Sequence, residues 1–95
     1  MTDQLGAWEA ACTAVRSSIL AGERPTFTAR AVADDGFWYI EIDGVPSRGD
    51  APGAYTQARS RAEIEVMARD VTALTLVVPP DSFDLLIETK GDGPA

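Results

Sequence analysis

Histidine is missing from this 95-residue chain, cysteine occurs once and lysine once. The absence of imidazole excludes histidine general-base catalysis and any zinc site that uses histidine. Cys12 has no second cysteine to pair with, so an intrachain disulfide is excluded, which fits a reducing compartment. Basic residues are scarce as well: 8 Lys and Arg stand against 15 Asp and Glu, a net charge of -7. Neutralising phosphates takes clustered Lys and Arg, so direct nucleic-acid binding is not expected. An acidic chain suits a basic protein partner, and the same charge also serves plain solubility. No apolar run approaches the ~20 residues that span a membrane. The opening residues MTDQLGAWEAAC lack the basic and apolar segments of a signal peptide. A cytoplasmic location is the expectation.

What is present describes one small domain. A chain of this size buries roughly 60–65% of its unfolded surface and can hold one modest core. Residues 3–22 read as a helix, with Thr2 or Asp3 as cap and Gly22 as terminator. Its apolar residues Leu5, Trp8, Cys12, Val15 and Ile19 are spaced 3, 4, 3 and 4 apart, a narrow seam of the coiled-coil type. The pattern then changes to period two. Strands are expected over 26–33 and 37–42, joined by the turn Asp34-Asp35-Gly36. Trp38, Ile40 and Ile42 share one face of the second strand, and Phe37, Tyr39 and Glu41 the other.

Residues 43–53, DGVPSRGDAPG, form a loop longer than a simple strand connection needs. Its Arg48-Gly49-Asp50 triplet matches an integrin-binding motif, but no sign of secretion accompanies it. A third strand is expected over 54–59 and a helix over 60–78, ended by Pro79-Pro80. Ser60 and Glu63 have the S-x-x-E spacing of a capping box, in which each side chain bonds the other's backbone N–H. Ile64, Met67, Ala68, Val71, Leu74 and Val78 make the helix's apolar stripe, and Glu65 with Arg69 an i,i+4 ion pair. A fourth strand is expected over 82–88, with Phe83, Leu85 and Ile87 beneath the helix, and then a flexible tail.

Chemistry is hard to find in this pattern. No glycine-rich phosphate loop, serine-hydrolase elbow or calcium loop occurs. Asp34-Asp35 reads as a turn, Cys12 as a small buried hydrophobe and both tryptophans as core. Ser17 and Ser18 have no histidine to activate them. No catalytic, cofactor or metal site is therefore expected. Composition and periodicity alone give a small α+β domain without a function.

A resemblance supplies one. The run Gly36-Phe37-Trp38-Tyr39-Ile40-Glu41-Ile42, then Pro52-Gly53, then Tyr55-Thr56-Gln57-Ala58-Arg59-Ser60 resembles the HicB-like antitoxin family, particularly its short actinobacterial-type members. The likeness continues through Glu63, Met67-Ala68-Arg69-Asp70, Ala73-Leu74 and Val78-Pro79-Pro80-Asp81-Ser82-Phe83-Asp84. It implies a β-β-β-α-β partial RNase H-like domain without nuclease carboxylates, placed here at 23–90, between a helical extension (1–22) and the tail (91–95). It also implies an antitoxin that binds and neutralises a small basic partner such as a HicA-type mRNA interferase toxin. Many members carry a DNA-binding segment after the fourth strand. This sequence ends soon after that strand, so operator binding is not expected. The long 43–53 loop and the N-terminal helix depart from the family pattern.

The alternative is a stand-alone oligomeric regulatory or structural protein on the same scaffold. A double-stranded-RNA-binding module shares the element order but conflicts with the charge. A homo-oligomer is expected, with Leu5, Trp8, Cys12, Val15, Ile19, Phe37, Tyr39 and Leu86 as interface. The competing arrangement folds the first helix back onto its own domain.

Overall fold

Alternation in the first hairpin sets the sheet. The structure, a computed structural model, describes residues 4–91 and Gly93. Its elements run α1 (Gln4–Leu20), β1 (Thr26–Asp34), β2 (Phe37–Asp43), β3 (Tyr55–Ala58), α2 (Arg61–Leu76) and β4 (Asp84–Lys90). The strands lie in the order β3-β2-β1-β4. β1 pairs antiparallel with β2 and parallel with β4, and β2 pairs antiparallel with β3. The result is an α+β fold, with α2 as the crossover that carries the chain from one edge of the sheet to the other.

The β1–β2 turn needs two residues of positive φ, and it has them at Asp35 (48°) and Gly36 (85°). Such a two-residue loop follows the right-handed twist of the strands. The register that follows places Ala29 opposite Ile42, Ala31 opposite Ile40 and Ala33 opposite Trp38. Phe27, Ala29, Ala31, Trp38, Ile40, Ile42 and Ala58 are all buried on this face, with Ile64, Ala68, Thr72 and Leu76 of α2 in the same layer. Alanines at 29 and 31 keep the sheet's centre low beneath the helices. Both helices lie on this one side, and the 16 Å short axis of the molecule is that of two layers.

The α1 seam turns inward. Cys12 and Ile19 are buried in the core cluster, and Trp8 and Val15 pack against it. Two polar anchors fix the helix. Trp8 Nε1 donates to the Pro46 carbonyl at 2.9 Å, and Arg16 Nε donates to the Leu76 carbonyl at 2.7 Å. The second bond places a cation on an unpaired carbonyl at the C-terminus of α2, where the helix dipole favours it. The fold-back arrangement is therefore the one this chain adopts, and it occupies seam residues that the sequence assigns to an oligomer interface. The Leu5 side chain, like the proposed caps Thr2 and Asp3, lies outside the described residues. At the other end Gly22 takes φ 106°, and Glu23 N–H reaches back to the Ser18 carbonyl at 3.0 Å, as the sequence expects of a glycine terminator.

The stripe on α2 differs from its expected composition. Ile64 and Ala68 are buried, Met67 and Val71 half-buried, but Leu74 is 70% exposed. Thr72 and Leu76 take the inner positions instead. Thr72 is tolerated there because its hydroxyl donates to the Ala68 carbonyl at 2.7 Å within the same helix. The capping box is also altered. Ser60 is the N-cap residue, yet its side chain makes no cap hydrogen bond. The Glu63 carboxylate accepts from the N–H of Arg59 at 2.9 Å, one residue before the expected donor. Ser60→Ala should accordingly shift stability by less than about 0.5 kcal/mol, and Glu63→Ala should cost about 1 kcal/mol. Urea titration of the two single variants checks this, and a larger loss for Ser60→Ala would contradict the geometry.

The expected Glu65–Arg69 ion pair is present, with Arg69 Nη2 3.4 Å from Glu65 Oε2. At β4 the strand begins after Phe83, which is fully buried. Leu85 is half-buried, and Ile87 is 40% exposed because β4 is an edge strand. In the long loop, Arg48 and Ala51 exchange two backbone hydrogen bonds around Gly49-Asp50, so the Arg-Gly-Asp triplet occupies a tight turn. Past β4, Gly93 lies so close to the Trp38 indole that an added β-carbon would sit 2.6 Å from the ring.

Candidate protein-interaction face

The sheet surface opposite the helices is uncovered by any described element. Registers on the three strand pairs fix its layout. Leu86, Thr28 and Asp43 form one row across β4, β1 and β2. The next row runs Glu88, Arg30, Glu41 and Tyr55, and the one after it Lys90, Val32, Tyr39 and Gln57. Phe37 and Asp34 face each other beyond them.

Two features coexist on this face. The first is apolar and aromatic: Val32, Phe37, Tyr55 and Leu86 are all at least 40% exposed. The rings of Tyr39 and Tyr55 stand 6.2 Å apart in a tilted pair. Desolvation, with the nearby charge of Glu41 and then Tyr55, pushes the Tyr39 phenol above its ordinary range. It remains a neutral hydrogen-bonding group at neutral pH. The second feature is negative charge. Among the strand residues of this face Asp34, Glu41, Asp43, Asp84 and Glu88 outnumber Arg30 and Lys90, and Arg24 pairs with Asp84 from outside the strands. Arg30 stands at the centre, 2.9 Å from Asp43 and 3.7 Å from Glu88. These pairs are well exposed, so they orient the guanidinium more than they stabilise the fold.

Of the interface residues assigned from sequence, Phe37, Tyr39 and Leu86 fall on this face. Trp8, Cys12, Val15 and Ile19 lie on the other side of the sheet. Val32 and Tyr55 belong to the face but were not singled out by the sequence reading. The signal for Val32 was present, since a two-residue turn at 35–36 places it opposite Tyr39. Tyr55 depended on a pairing of β2 with β3 that the long loop conceals.

Other surfaces offer less. A cleft of about 550 Å³ opens at the β3 edge, bordered by Phe37, Gln57, Arg59, Glu63 and Met67. Among the described residues no group of three His, Cys, Asp or Glu is placed to hold a metal ion. No helix among them is long and apolar enough to cross a membrane. The Cys12 thiol is buried, which raises its pKa against the opposing pull of Arg16. Much of the arginine content is held by the chain itself. Arg48, Arg61 and Arg69 lie over the rings of Trp8, Trp38 and Phe83 at 4.8, 4.8 and 5.2 Å. Arg24 clasps the 81–84 segment through Asp84 at 2.9 Å and the Asp81 carbonyl at 2.8 Å. Comparison of the chain with protein-family models, with curated proteins and with solved structures finds no match.

Proposed function

We propose that this chain is an enzymatically inert binding protein of the HicB-like antitoxin kind, which uses its open sheet face to hold and block a small basic protein such as a HicA-type mRNA interferase toxin. The observation that carries this reading is the face itself. It is acidic and presents exposed aromatic side chains, the combination that attracts and then anchors a basic partner. The antiparallel meander, the crossover helix and a fourth strand beside the first also agree with the partial RNase H-like fold that the resemblance implies.

The inert character rests on Arg30. A two-metal nuclease needs several convergent carboxylates around its ions. Here a guanidinium occupies the space between Asp43 and Glu88, and a fixed cation there opposes metal binding. The chain should leave an RNA–DNA hybrid intact with either Mg²⁺ or Mn²⁺, and cleavage abolished by Glu41→Ala would refute the reading.

The binding test is co-purification with the product of a short basic reading frame adjoining its gene, followed by calorimetry. Charge reversal at Glu41 and Glu88 together should weaken the complex by roughly tenfold or more. Glu9→Lys on the exposed surface of α1 should leave it within about twofold. Equal effects from both changes would mean that the partner does not use the sheet face. Absence of any complex, with self-association retained, would favour the stand-alone oligomeric role.

A further inference from the structure

No described element pairs with the outer edge of β4. The strand is seven residues long, ends the sheet, and contains no proline. Natural edges are usually blunted by proline, by bulges or by charged side chains, and the charges of β4, Asp84, Glu88 and Lys90, all lie in register with open-face residues of β1. This edge exposes apolar side chains on both surfaces, Leu86 at 59% on the open face and Ile87 at 40% on the helix face. The described residues that follow, Gly91 and Gly93, lie against Ala33 and Trp38, inward from the edge.

The direction of the free backbone groups follows from one hydrogen bond. Asp84 N–H donates to the Pro25 carbonyl at 2.9 Å, on the β1 side. Peptide groups alternate along a strand, so Asp84, Leu86, Glu88 and Lys90 face β1. Leu85, Ile87 and Thr89 then point their N–H and C=O groups outward. An antiparallel second copy can pair these outward residues in three compact registers. With Leu86 on the two-fold axis, Asp84 opposes the partner's Glu88. With Glu88 on the axis, that carboxylate opposes its own copy. With Ile87 on the axis, Asp84 opposes the partner's Lys90, Leu85 pairs with the partner's Thr89, and Ile87 meets its copy. Only this last register avoids opposed like charges and joins opposite ones.

We propose that two copies of this chain pair antiparallel through β4, with Ile87 on the two-fold axis, to form one continuous eight-stranded sheet. The occupant is a second copy because the strand is self-complementary in this register, in charge and in backbone groups. Strand pairing in this register sets Ile87 against its copy on the helix face and Leu86 opposite the partner's Glu88 on the open face, a small interface, so association is concentration-dependent and weak. The pairing leaves the centre of each open face accessible and does not depend on the antitoxin reading.

Sedimentation velocity from low to high micromolar concentration tests it on the full chain. A monomer–dimer equilibrium is expected. Ile87→Lys places two cations together on the axis and should raise the dimer Kd by about tenfold or more. Lys90→Glu should weaken the dimer too, by turning an attractive cross-strand pair repulsive. Both positions are exposed, and far-UV circular dichroism verifies that the variants remain folded. Ile87→Cys should cross-link on oxidation, because paired residues across an antiparallel ladder have Cα atoms about 5.5 Å apart, within disulfide range. Gln57→Cys, at the opposite edge, should not. A monomer at every concentration would overturn the proposal. So would a dimer that is indifferent to Ile87→Lys and not cross-linked by Ile87→Cys.

Discussion

Phe83→Ala is expected to cost about 4 kcal/mol, a large part of the total stability of a domain this size. The ring is fully buried although it lies in the segment before β4 rather than in a strand. It meets Phe27 edge-on, with centroids 5.5 Å apart, and Arg69 lies over it at 5.2 Å. The same arginine donates to the carbonyls of Pro80 and Phe83 at 2.7 and 3.1 Å. Arg24 grips the segment from its other side through the Asp81 carbonyl and the Asp84 carboxylate. Removing the ring therefore opens a cavity in the core and also removes what Arg69 stacks on. Phe83→Leu keeps most of the volume and should cost about 1.5 kcal/mol. Urea denaturation followed by circular dichroism measures both. A loss below about 1.5 kcal/mol for the alanine variant would mean that the neighbouring side chains collapse into the space. The Arg69→Met and Phe83→Ala changes should be non-additive, since each removes the same contact.

Alternation in β1 and β2 was sufficient to place the buried face of the sheet, because a period of two leaves only one way to hide Trp38, Ile40 and Ile42. The outer turn of α2 was not legible in the same way. Val71 to Val78 is nearly apolar all round, so spacing could not choose between Leu74 and Leu76 for the inside. Tertiary packing chose Leu76 and left Leu74 in solvent. The seam on α1 had a different difficulty. Side chains at that spacing suit a partner helix and the chain's own core equally. The choice was made by two distant carbonyls, at Pro46 and Leu76, that accept from Trp8 and Arg16. The candidate face was half visible. Phe37, Tyr39 and Leu86 are legible as the minority of apolar residues on the polar side of their strands. The acidic surround and the position of Arg30 needed the strand order, which sequence spacing does not state.

Gly53→Ala should be nearly as damaging as the loss of Phe83, at about 3 kcal/mol, and for a reason opposite to the usual one for glycine. Gly53 is not among the residues of positive φ, so the left-handed penalty does not apply to alanine there. What it lacks is room. A β-carbon at this position would overlap the carbonyl group of Pro46 and come within 3.1 Å of the Val45 side chain. The Pro46 carbonyl is backbone, and it is also the acceptor that holds Trp8 at 2.9 Å. Moving it aside to admit a methyl group strains the 43–53 loop and loosens the N-terminal half of α1 together. Two measurements separate this account from general loop strain. Trp8→Phe removes the indole donor, so its cost should overlap with that of Gly53→Ala in the double variant. Gly49→Ala, at the exposed tip of the same loop with φ 63°, should cost only about 1 kcal/mol, because its penalty is conformational and local. Thermal melts of the parent chain and the four variants give the comparison. The Gly53→Ala midpoint is expected to fall by roughly 12–20 °C. A drop no larger than that of Gly49→Ala would show that the loop moves freely away from Pro46, and additive losses with Trp8→Phe would show that the loop and α1 are not coupled through that carbonyl.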